Sequence, residues 1–270
     1  MQRRTPCHDR SVPVAEVADA TPPLVILPGA LLDASPALVA RFGGSRRVHP
    51  VRYSTATTMT ALVDEIAAQL GAAGIARADV LGSSYGGWVA QCLVRRHPRL
   101  VRHLLLVHTF ALRAADAKRF RMGLALWRVM PVAVMRKLGV LRVRRLLRPI
   151  QQSLPKEHAK IEAALVAEID SPATFQQLHR QNECMLESCT AFPVAPGDLA
   201  SHDGRILIVE SDDDPAIRPR DRGHLRAMYP SAEVRTFHGT GHVTARAAPE
   251  AFAAAVESFL AEPAVETLLR

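Results

Sequence analysis

A Gly-x-Ser-x-Gly pentapeptide is the clearest chemical signal in this chain of 270 residues. It runs Gly82-Ser83-Ser84-Tyr85-Gly86, with Ser84 at its centre, between an apolar run and a stretch with helical spacing. A tight strand-to-helix turn of this kind lifts the central hydroxyl clear of the backbone. Glycine is needed where a Cβ atom would collide with neighbouring chain. We therefore predict that Ser84 is a nucleophile.

A serine hydroxyl needs a base, and the base needs an orienting carboxylate, which follows the serine in chains with this turn. A later apolar run, 206–209, ends in an acidic turn that contains Asp212, Asp213 and Asp214. We choose Asp214 as the acid and expect Asp212 and Asp213 to form a solvated acidic turn.

The base is expected last in the chain, after the next predicted strand, 233–237. His238 and His242 both follow that strand. We favour His242 because Gly239 and Gly241 give it a flexible loop in which neighbouring chain can approach closely. The three groups would then lie at one edge of a parallel sheet, where open α/β sheets bind ligands.

Acyl transfer also needs two backbone N–H groups directed at the developing oxyanion. Tyr85 follows the predicted nucleophile and would supply one of them. The loop after the first apolar run, Pro28-Gly29-Ala30-Leu31, would supply the other, and Ala30 is our choice. Tyr85 and Ala30 are the predicted oxyanion hole.

Strand and helix patterns alternate at both ends of the chain. The patterns predict strands at 24–27, 47–53, 79–81, 103–107, 205–210 and 233–237, and helices at 58–70, 85–96, 220–228 and 249–260. Such alternation favours an α/β fold with a mostly parallel central sheet flanked by helices. Residues 113–200 are helical and poor in strands. We therefore predict one core, 1–112 and 201–270, interrupted by a helical insertion.

Composition excludes several classes of protein. The chain is 48% hydrophobic and 22% charged, which is typical of a folded globular domain and not of a disordered or collagen-like chain. We find no signal peptide in residues 1–20 and no apolar run long enough to span a membrane. The four cysteines lie at no metal-binding spacing. We expect reduced thiols, a cytoplasmic bacterial protein, and no metal or cofactor.

The positive charge is concentrated in one segment. The formal net charge is +8, and residues 113–148 alone carry 11 Lys+Arg against one Asp. Three interpretations remain open: ordinary solvated basic faces, attraction of an anionic or carrier-linked substrate, and weak contact with a membrane surface. Nucleic acid is disfavoured because no nucleic-acid-binding motif accompanies the charge.

From residue 24 to residue 260 the chain resembles the α/β-hydrolase family. The resemblance lies in the 27–30 loop, the 81–87 turn, the 211–215 turn, the Gly239-Thr240-Gly241-His242 segment and the closing helix. It implies that the 113–200 insertion is a cap over the substrate site and that Asp214, the fourth residue of the family's Gly-x-x-Asp turn, is the acid. Pro28 stands where the family often has His, and Ser211 replaces the usual glycine.

A closer likeness is to maspardin and its bacterial relatives. It rests on the segments 107–110, 127–131 and 228–232. Members of that branch include binding proteins, which keeps a non-catalytic scaffold open as an alternative function.

Together these features predict a serine hydrolase that cleaves a carboxylic ester, thioester or related acyl bond of a small molecule. The same triad would also serve carbon–carbon bond cleavage or lactone opening, so both reactions stay open. The oligomeric state is left undetermined.

Overall fold

The computed structural model describes residues 21–31, 35–111 and 113–261. Its strands form a single sheet and are β1 (Leu24–Leu27), β2 (Val48–Pro50), β3 (Ala78–Ser83), β4 (Val101–Val107), β5 (Ile206–Ser211) and β6 (Glu233–Phe237). Their order across the sheet is β2-β1-β3-β4-β5-β6, and all neighbours are parallel. The predicted fold class is confirmed. Residues that follow these strands meet at the carboxyl edge of the sheet.

The described helices connect and cover these strands. They are α1 (Ser35–Phe42), α2 (Met59–Ala72), α3 (Tyr85–Arg96), α4 (Ala117–Val129), α5 (Val132–Leu147), α6 (Pro155–Ile169), α7 (Pro172–Ala191), α8 (Pro219–Met228), α9 (Thr244–Ala247) and α10 (Pro249–Ala261). None of them has both the length and the apolar character that a membrane span requires.

Helices bury both faces of the sheet, which is why β1, β4 and β5 each contain a run of four apolar residues. Successive side chains of a strand point to opposite faces. Val25 and Leu27 accordingly pack in a cluster with α2 and α3, whereas Leu24 and Ile26 pack in another cluster with α1 and α10.

The helices α4–α7 lie between β4 and β5 in the chain and divide into two pairs. Buried side chains of α4 and α7, among them Phe120 and Cys184, join the cluster on the α2–α3 face of the sheet. Helices α5 and α6 form a separate cluster around Leu147 and Leu165. Prolines begin α6 and α7, where a missing N–H leaves no helical hydrogen bond unmade. The division of the chain into core and cap at residues 113 and 200 stays a prediction.

Two local features differ from the sequence analysis. The strand predicted at 47–53 is wrong in length and covers Val48–Pro50, because Pro50 has no N–H to donate and the chain leaves the sheet soon after Val51. Helices α1 and α9 were not predicted.

A buried carboxylate near the amino end of β3 ties this strand to β4 and to the turn before β2. Asp79 is fully buried and accepts hydrogen bonds from Arg46 at 3.1 Å and from two nitrogens of Arg102 at 2.7 and 2.8 Å. A buried charge needs such partners, because an unpaired one is strongly destabilising.

The described cysteines are buried, unpaired thiols: Cys92, Cys184 and Cys189. Burial raises the pKa of Cys184 and Cys189 to about 11, so both are protonated at neutral pH. The fourth, Cys7, and the N-terminal segment 1–20 lie outside the described residues.

Candidate active site

The Ser84 backbone is strained. Ser84 has φ +52° and ψ −113° between β3 and α3, a conformation that residues with a Cβ rarely adopt. Its N–H donates to Val107 O at 2.8 Å, and its carbonyl accepts from the Thr109 hydroxyl at 2.9 Å. These contacts hold the turn, since such strain persists only where the surroundings enforce it.

The glycines around Ser84 have no room for a side chain. A Cβ on Gly82 would lie 2.3 Å from Gly86 O, and one on Gly86 would lie 2.0 Å from Leu27 O. Real Cβ atoms essentially never approach another atom that closely. The first turn of α3 therefore packs directly on the ends of β1 and β3.

The loop after β1 passes alongside Ser84. A Cβ on Gly29 would lie 3.6 Å from the Ser84 Cβ, and the Tyr53 hydroxyl donates to Pro28 O at 2.8 Å. Ala30 is the next residue of this loop and is partly buried. Tyr85 is the first residue of α3, where backbone N–H groups have no helical partner and the helix dipole favours negative charge.

Asp214 and His242 are joined at the same edge of the sheet. His242 Nδ1 lies 2.8 Å from Asp214 Oδ2, while Asp214 Oδ1 accepts from the N–H groups of Ala216 and Ile217 at 2.8 and 3.2 Å. Burial raises the pKa of Asp214, but hydrogen bonds from His108 and His242 outweigh it and hold the pKa well below its usual range. Asp214 is therefore a carboxylate at neutral pH, and His242 Nδ1 carries the donated proton.

A second histidine, which the sequence analysis did not assign to the site, contacts the same carboxylate oxygen. His108 Nδ1 lies 3.0 Å from Asp214 Oδ2, and His108 Nε2 lies 2.8 Å from the Thr244 hydroxyl. Burial lowers the pKa of His108 despite the bond to Asp214, so the ring is neutral at neutral pH. Its Nδ1–H donates to Asp214, and its Nε2 accepts from Thr244. His108 directly follows β4, the neighbour of β3, and that position was the available signal.

Asp213 is not the solvated acid that we expected. Its carboxylate accepts from the Ser211 hydroxyl at 2.6 Å and from the Gly241 N–H at 3.0 Å. It thereby ties the loop that carries His242 to the end of β5. Asp212 is exposed, as expected, and lies 2.6 Å from Nδ1 of the exposed His238.

The sequence matches the model of the Alpha/beta hydrolase family over residues 9–255. The chain belongs to the α/β-hydrolase family. The likeness to the maspardin branch stays a prediction.

Solved structures of α/β-hydrolases share the fold. An α/β-hydrolase enzyme, MGS-M2, from a Medee basin deep-sea metagenome library superposes with TM-score 0.72, 18% identity, and 92% of each chain covered. An enol-lactonase from Burkholderia xenovorans LB400 gives 0.70 and 17%, covering 90% of this chain and 92% of its own. A 2-hydroxy-6-oxo-6-phenylhexa-2,4-dienoate hydrolase from Rhodococcus sp. strain RHA1 gives 0.64 and 16%, covering 89% and 90%.

The two histidines and Asp214 are also the described residues that could together hold a metal ion, with ligand atoms within 4.8 Å of one another. Both Nδ1 atoms, however, lie at hydrogen-bond distance from one carboxylate oxygen, and His108 Nε2 is engaged by Thr244. The observed contacts are hydrogen bonds that converge on the Asp214 carboxylate.

Ser84 and His242 lie at the same edge of the sheet. The hydrogen bonds of the described residues include none between these two side chains. In enzymes without bound substrate this bond is often long and shortens in the complex. The His242 side chain is 14% exposed, so part of it is accessible from solvent.

A cleft of about 600 Å³ lies where the helical insertion meets the acid turn. Its lining residues are Arg145, Arg148, Pro149, Gln151, Gln152, Asp213 and Pro215. Asp213 and Pro215 flank Asp214 in sequence, and Pro149 is the neighbour that a Cβ on Gly241 would meet at 3.0 Å. The basic segment thus reaches the neighbourhood of the His242 loop.

Proposed function

We propose that this α/β-hydrolase is a serine hydrolase that cleaves a carboxylic ester, thioester or related acyl bond. The observation that carries the proposal is the strained Ser84 backbone at the carboxyl edge that also holds the His242–Asp214 pair. Strain of this kind is costly and recurs at functional sites, where it aims a reactive group.

In the first step, Ser84 Oγ attacks the carbonyl carbon of the substrate while His242 Nε2 takes the hydroxyl proton. The Asp214 carboxylate stabilises the imidazolium through its bond to Nδ1. The carbonyl oxygen becomes an oxyanion, and the Tyr85 and Ala30 N–H groups would bind it.

Collapse of the tetrahedral intermediate breaks the bond to the leaving group, which takes the proton from His242. The acyl group stays on Ser84 Oγ as an ester. Water then attacks this ester and gives its proton to His242, which passes it to Ser84 as the free acid departs. No other reactant is consumed.

A comparison of two neighbouring serines tests the proposal. Ser84→Ala should abolish labelling by a fluorophosphonate probe and hydrolysis of a short p-nitrophenyl ester, whereas Ser83→Ala should retain both. A wild-type protein that neither labels nor hydrolyses any ester of a chain-length panel would overturn the proposal in favour of a binding protein. Equal labelling of wild type and Ser84→Ala would exclude Ser84 as the nucleophile.

For the substrate, we propose an acyl compound that carries an anionic group. Arg145 and Arg148 line the cleft beside the acid turn, are exposed, and have no carboxylate within 4.0 Å among the described residues. Guanidinium groups in that position attract a carboxylate or phosphate at a distance from the reacting carbonyl.

Identifying the bond that is cleaved requires a substrate panel, because an enol-lactonase and a dienoate hydrolase share this fold. Matched esters, thioesters, lactones and vinylogous diketones should be compared by kcat/KM. Preference for an ester or thioester supports the proposed acyl chemistry. Preference for a lactone or diketone would keep Ser84 as the nucleophile and overturn the bond type.

A further inference from the structure

The large hydrophobic side chains that are exposed among the described residues all lie in one segment. They are Met122, Leu126, Val129, Val132, Val134, Leu138 and Leu141, with exposed fractions from 43% to 77%. The segment consists of α4, the Pro131 turn and α5. Apolar exposure gathered in one place marks an interaction site more often than exposure of single residues does.

These residues form stripes on the outward faces of two helices. Met122, Leu126 and Val129 follow the spacing of one face of α4, while Phe120 of the same helix is buried. Trp127 also points inward, towards α7, where its ring contacts Phe175.

Helix α5 repeats the arrangement. Val134, Leu138 and Leu141 follow the spacing of one face, and Val143 and Leu147 are buried in the cluster shared with α6. Each helix therefore has one face packed and one apolar face without a partner in the described structure.

Basic residues flank both stripes. Lys118, Arg121 and Arg128 on α4 and Lys137 on α5 are exposed, and none has a carboxylate within 4.0 Å among the described residues. Other basic side chains of the segment do have partners: Arg136 with Asp170, and Arg144 with Glu162. These four unpaired cations thus lie along the exposed apolar stripes.

We propose that this surface, which we call the basic apolar surface, rests on an anionic phospholipid bilayer with α4 and α5 lying in the interface. The aliphatic side chains would enter the boundary between headgroups and acyl chains, and the four cations would contact lipid phosphates. The inference concerns side chains other than Ser84, Asp214 and His242, so it does not depend on the proposed hydrolysis.

The charge of the basic apolar surface distinguishes an anionic bilayer from a second copy of the chain, and its aliphatic side chains distinguish the bilayer from nucleic acid. A second copy docked face to face would bring like charges together, which is unfavourable. Nucleic acid would engage the cations but would leave the seven aliphatic side chains without apolar contact. An anionic bilayer satisfies both sets of groups.

Vesicle sedimentation with the full-length protein tests the proposal. We expect binding to vesicles of phosphatidylcholine mixed with phosphatidylglycerol, at least tenfold weaker binding to phosphatidylcholine alone, and loss of binding in high salt. Arg121→Gln/Arg128→Gln/Lys137→Gln should weaken binding by about 100-fold, since each cation contributes roughly 1 kcal/mol near an anionic surface.

Two further variants complete the design. The matched control Arg52→Gln/Arg99→Gln/Lys160→Gln removes the same charge from exposed positions elsewhere and should bind within about twofold of wild type. Val129→Asp/Leu138→Asp should abolish binding while ester hydrolysis in solution stays unchanged, which separates failure of this proposal from failure of the catalytic one.

Three outcomes would overturn the proposal: no binding to anionic vesicles, equal binding to neutral and anionic vesicles, or equal loss in the control variant. A dimer in sedimentation equilibrium that Val129→Asp dissociates, without vesicle binding, would assign the surface to a second copy of the chain.

Discussion

The carboxyl edge of the sheet and the basic apolar surface use the same residue types in opposite ways. At the edge, Gly86 has backbone atoms where a side chain would begin, whereas Gly123 on α4 has nothing within 4 Å of that position. Charge follows the same division: Asp214 accepts four hydrogen bonds, while Arg121 has no carboxylate within 4.0 Å in the part of the chain that the structure describes. The first region is determined by internal contacts and the second is left open to a partner.

The largest expected effect comes from adding one carbon at the edge. Gly86→Ala should lose the folded state or all hydrolytic activity, because its Cβ would lie 2.0 Å from Leu27 O. Gly123→Ala adds the same carbon and should stabilise the protein by about 0.5–1 kcal/mol, since alanine is the better helix former. Urea denaturation and ester hydrolysis measure both. Similar behaviour of the two variants would contradict the comparison.

Neutralising the acid comes next. Asp214→Asn should lower kcat by roughly 10³–10⁴-fold, because an amide cannot hold His242 in the tautomer that accepts a proton at Nε2. Asp212→Asn, at an exposed position two residues away, should leave kcat nearly unchanged. If the two variants lose activity equally, the assignment of the acid is wrong.

His108 should act as a positioning residue for Asp214. His108→Leu removes the donor to Asp214 Oδ2 and should lower kcat roughly 10- to 100-fold through misplacement of the acid. Asn tolerates the positive φ of residue 108, +47°, and offers both a donor and an acceptor, so His108→Asn should recover most of the rate. Failure of asparagine to rescue, with both variants folded, would limit His108 to a packing role.

Lowering the pH should destabilise the folded protein through the same histidine. Unfolded chain binds a proton with the ordinary histidine pKa of about 6.5, whereas burial lowers the pKa of His108 in the folded protein. Stability should therefore fall as the pH drops below about 6.5, by up to ~1.4 kcal/mol per pH unit for this group. His108→Asn should flatten that slope in urea titrations between pH 7 and pH 5. An unchanged slope would show that other groups cause the acid sensitivity.

The smallest effect concerns charge on the insertion. Arg145→Gln/Arg148→Gln should lower kcat/KM for an anionic ester by about three- to tenfold at low salt and leave kcat/KM for a neutral ester unchanged. In high salt the difference between the variant and wild type should disappear. Arg128→Gln/Lys137→Gln removes equal charge from the basic apolar surface and should affect neither ester. Equal losses in both double variants would indicate general charge steering and not a local anion site.

The sequence predicted those parts of the fold and site that depend on local pattern. The turn around Ser84 is encoded by five consecutive residues, and the central strands β1, β4 and β5 follow from apolar runs. Asp214 and His242 follow from their places after strands. The short helix α9 was missed because four residues carry too little periodicity.

Long-range contacts explain the other omissions. His108 resembles any histidine after a strand until β5 brings Asp214, 106 residues away in sequence, within 3.0 Å. Asp213 looked solvated because its partner N–H belongs to Gly241, in a distant loop. Which cations of the basic segment are paired depends on acids outside it, such as Glu162 and Asp170.

The buried Asp79 also affects the other end of β3, where Ser84 follows the strand. Opposite Asp79, β4 carries an irregularity: Ala78 pairs with Val101 but Val80 pairs with Leu104, and Arg102 is one of the residues between these two pairs. A slide of β3 by one residue would separate Asp79 from both arginines and exchange the two faces of the strand. The ion pairs therefore hold β3 in its register, and this register sets the position at which Ser84 follows the sheet.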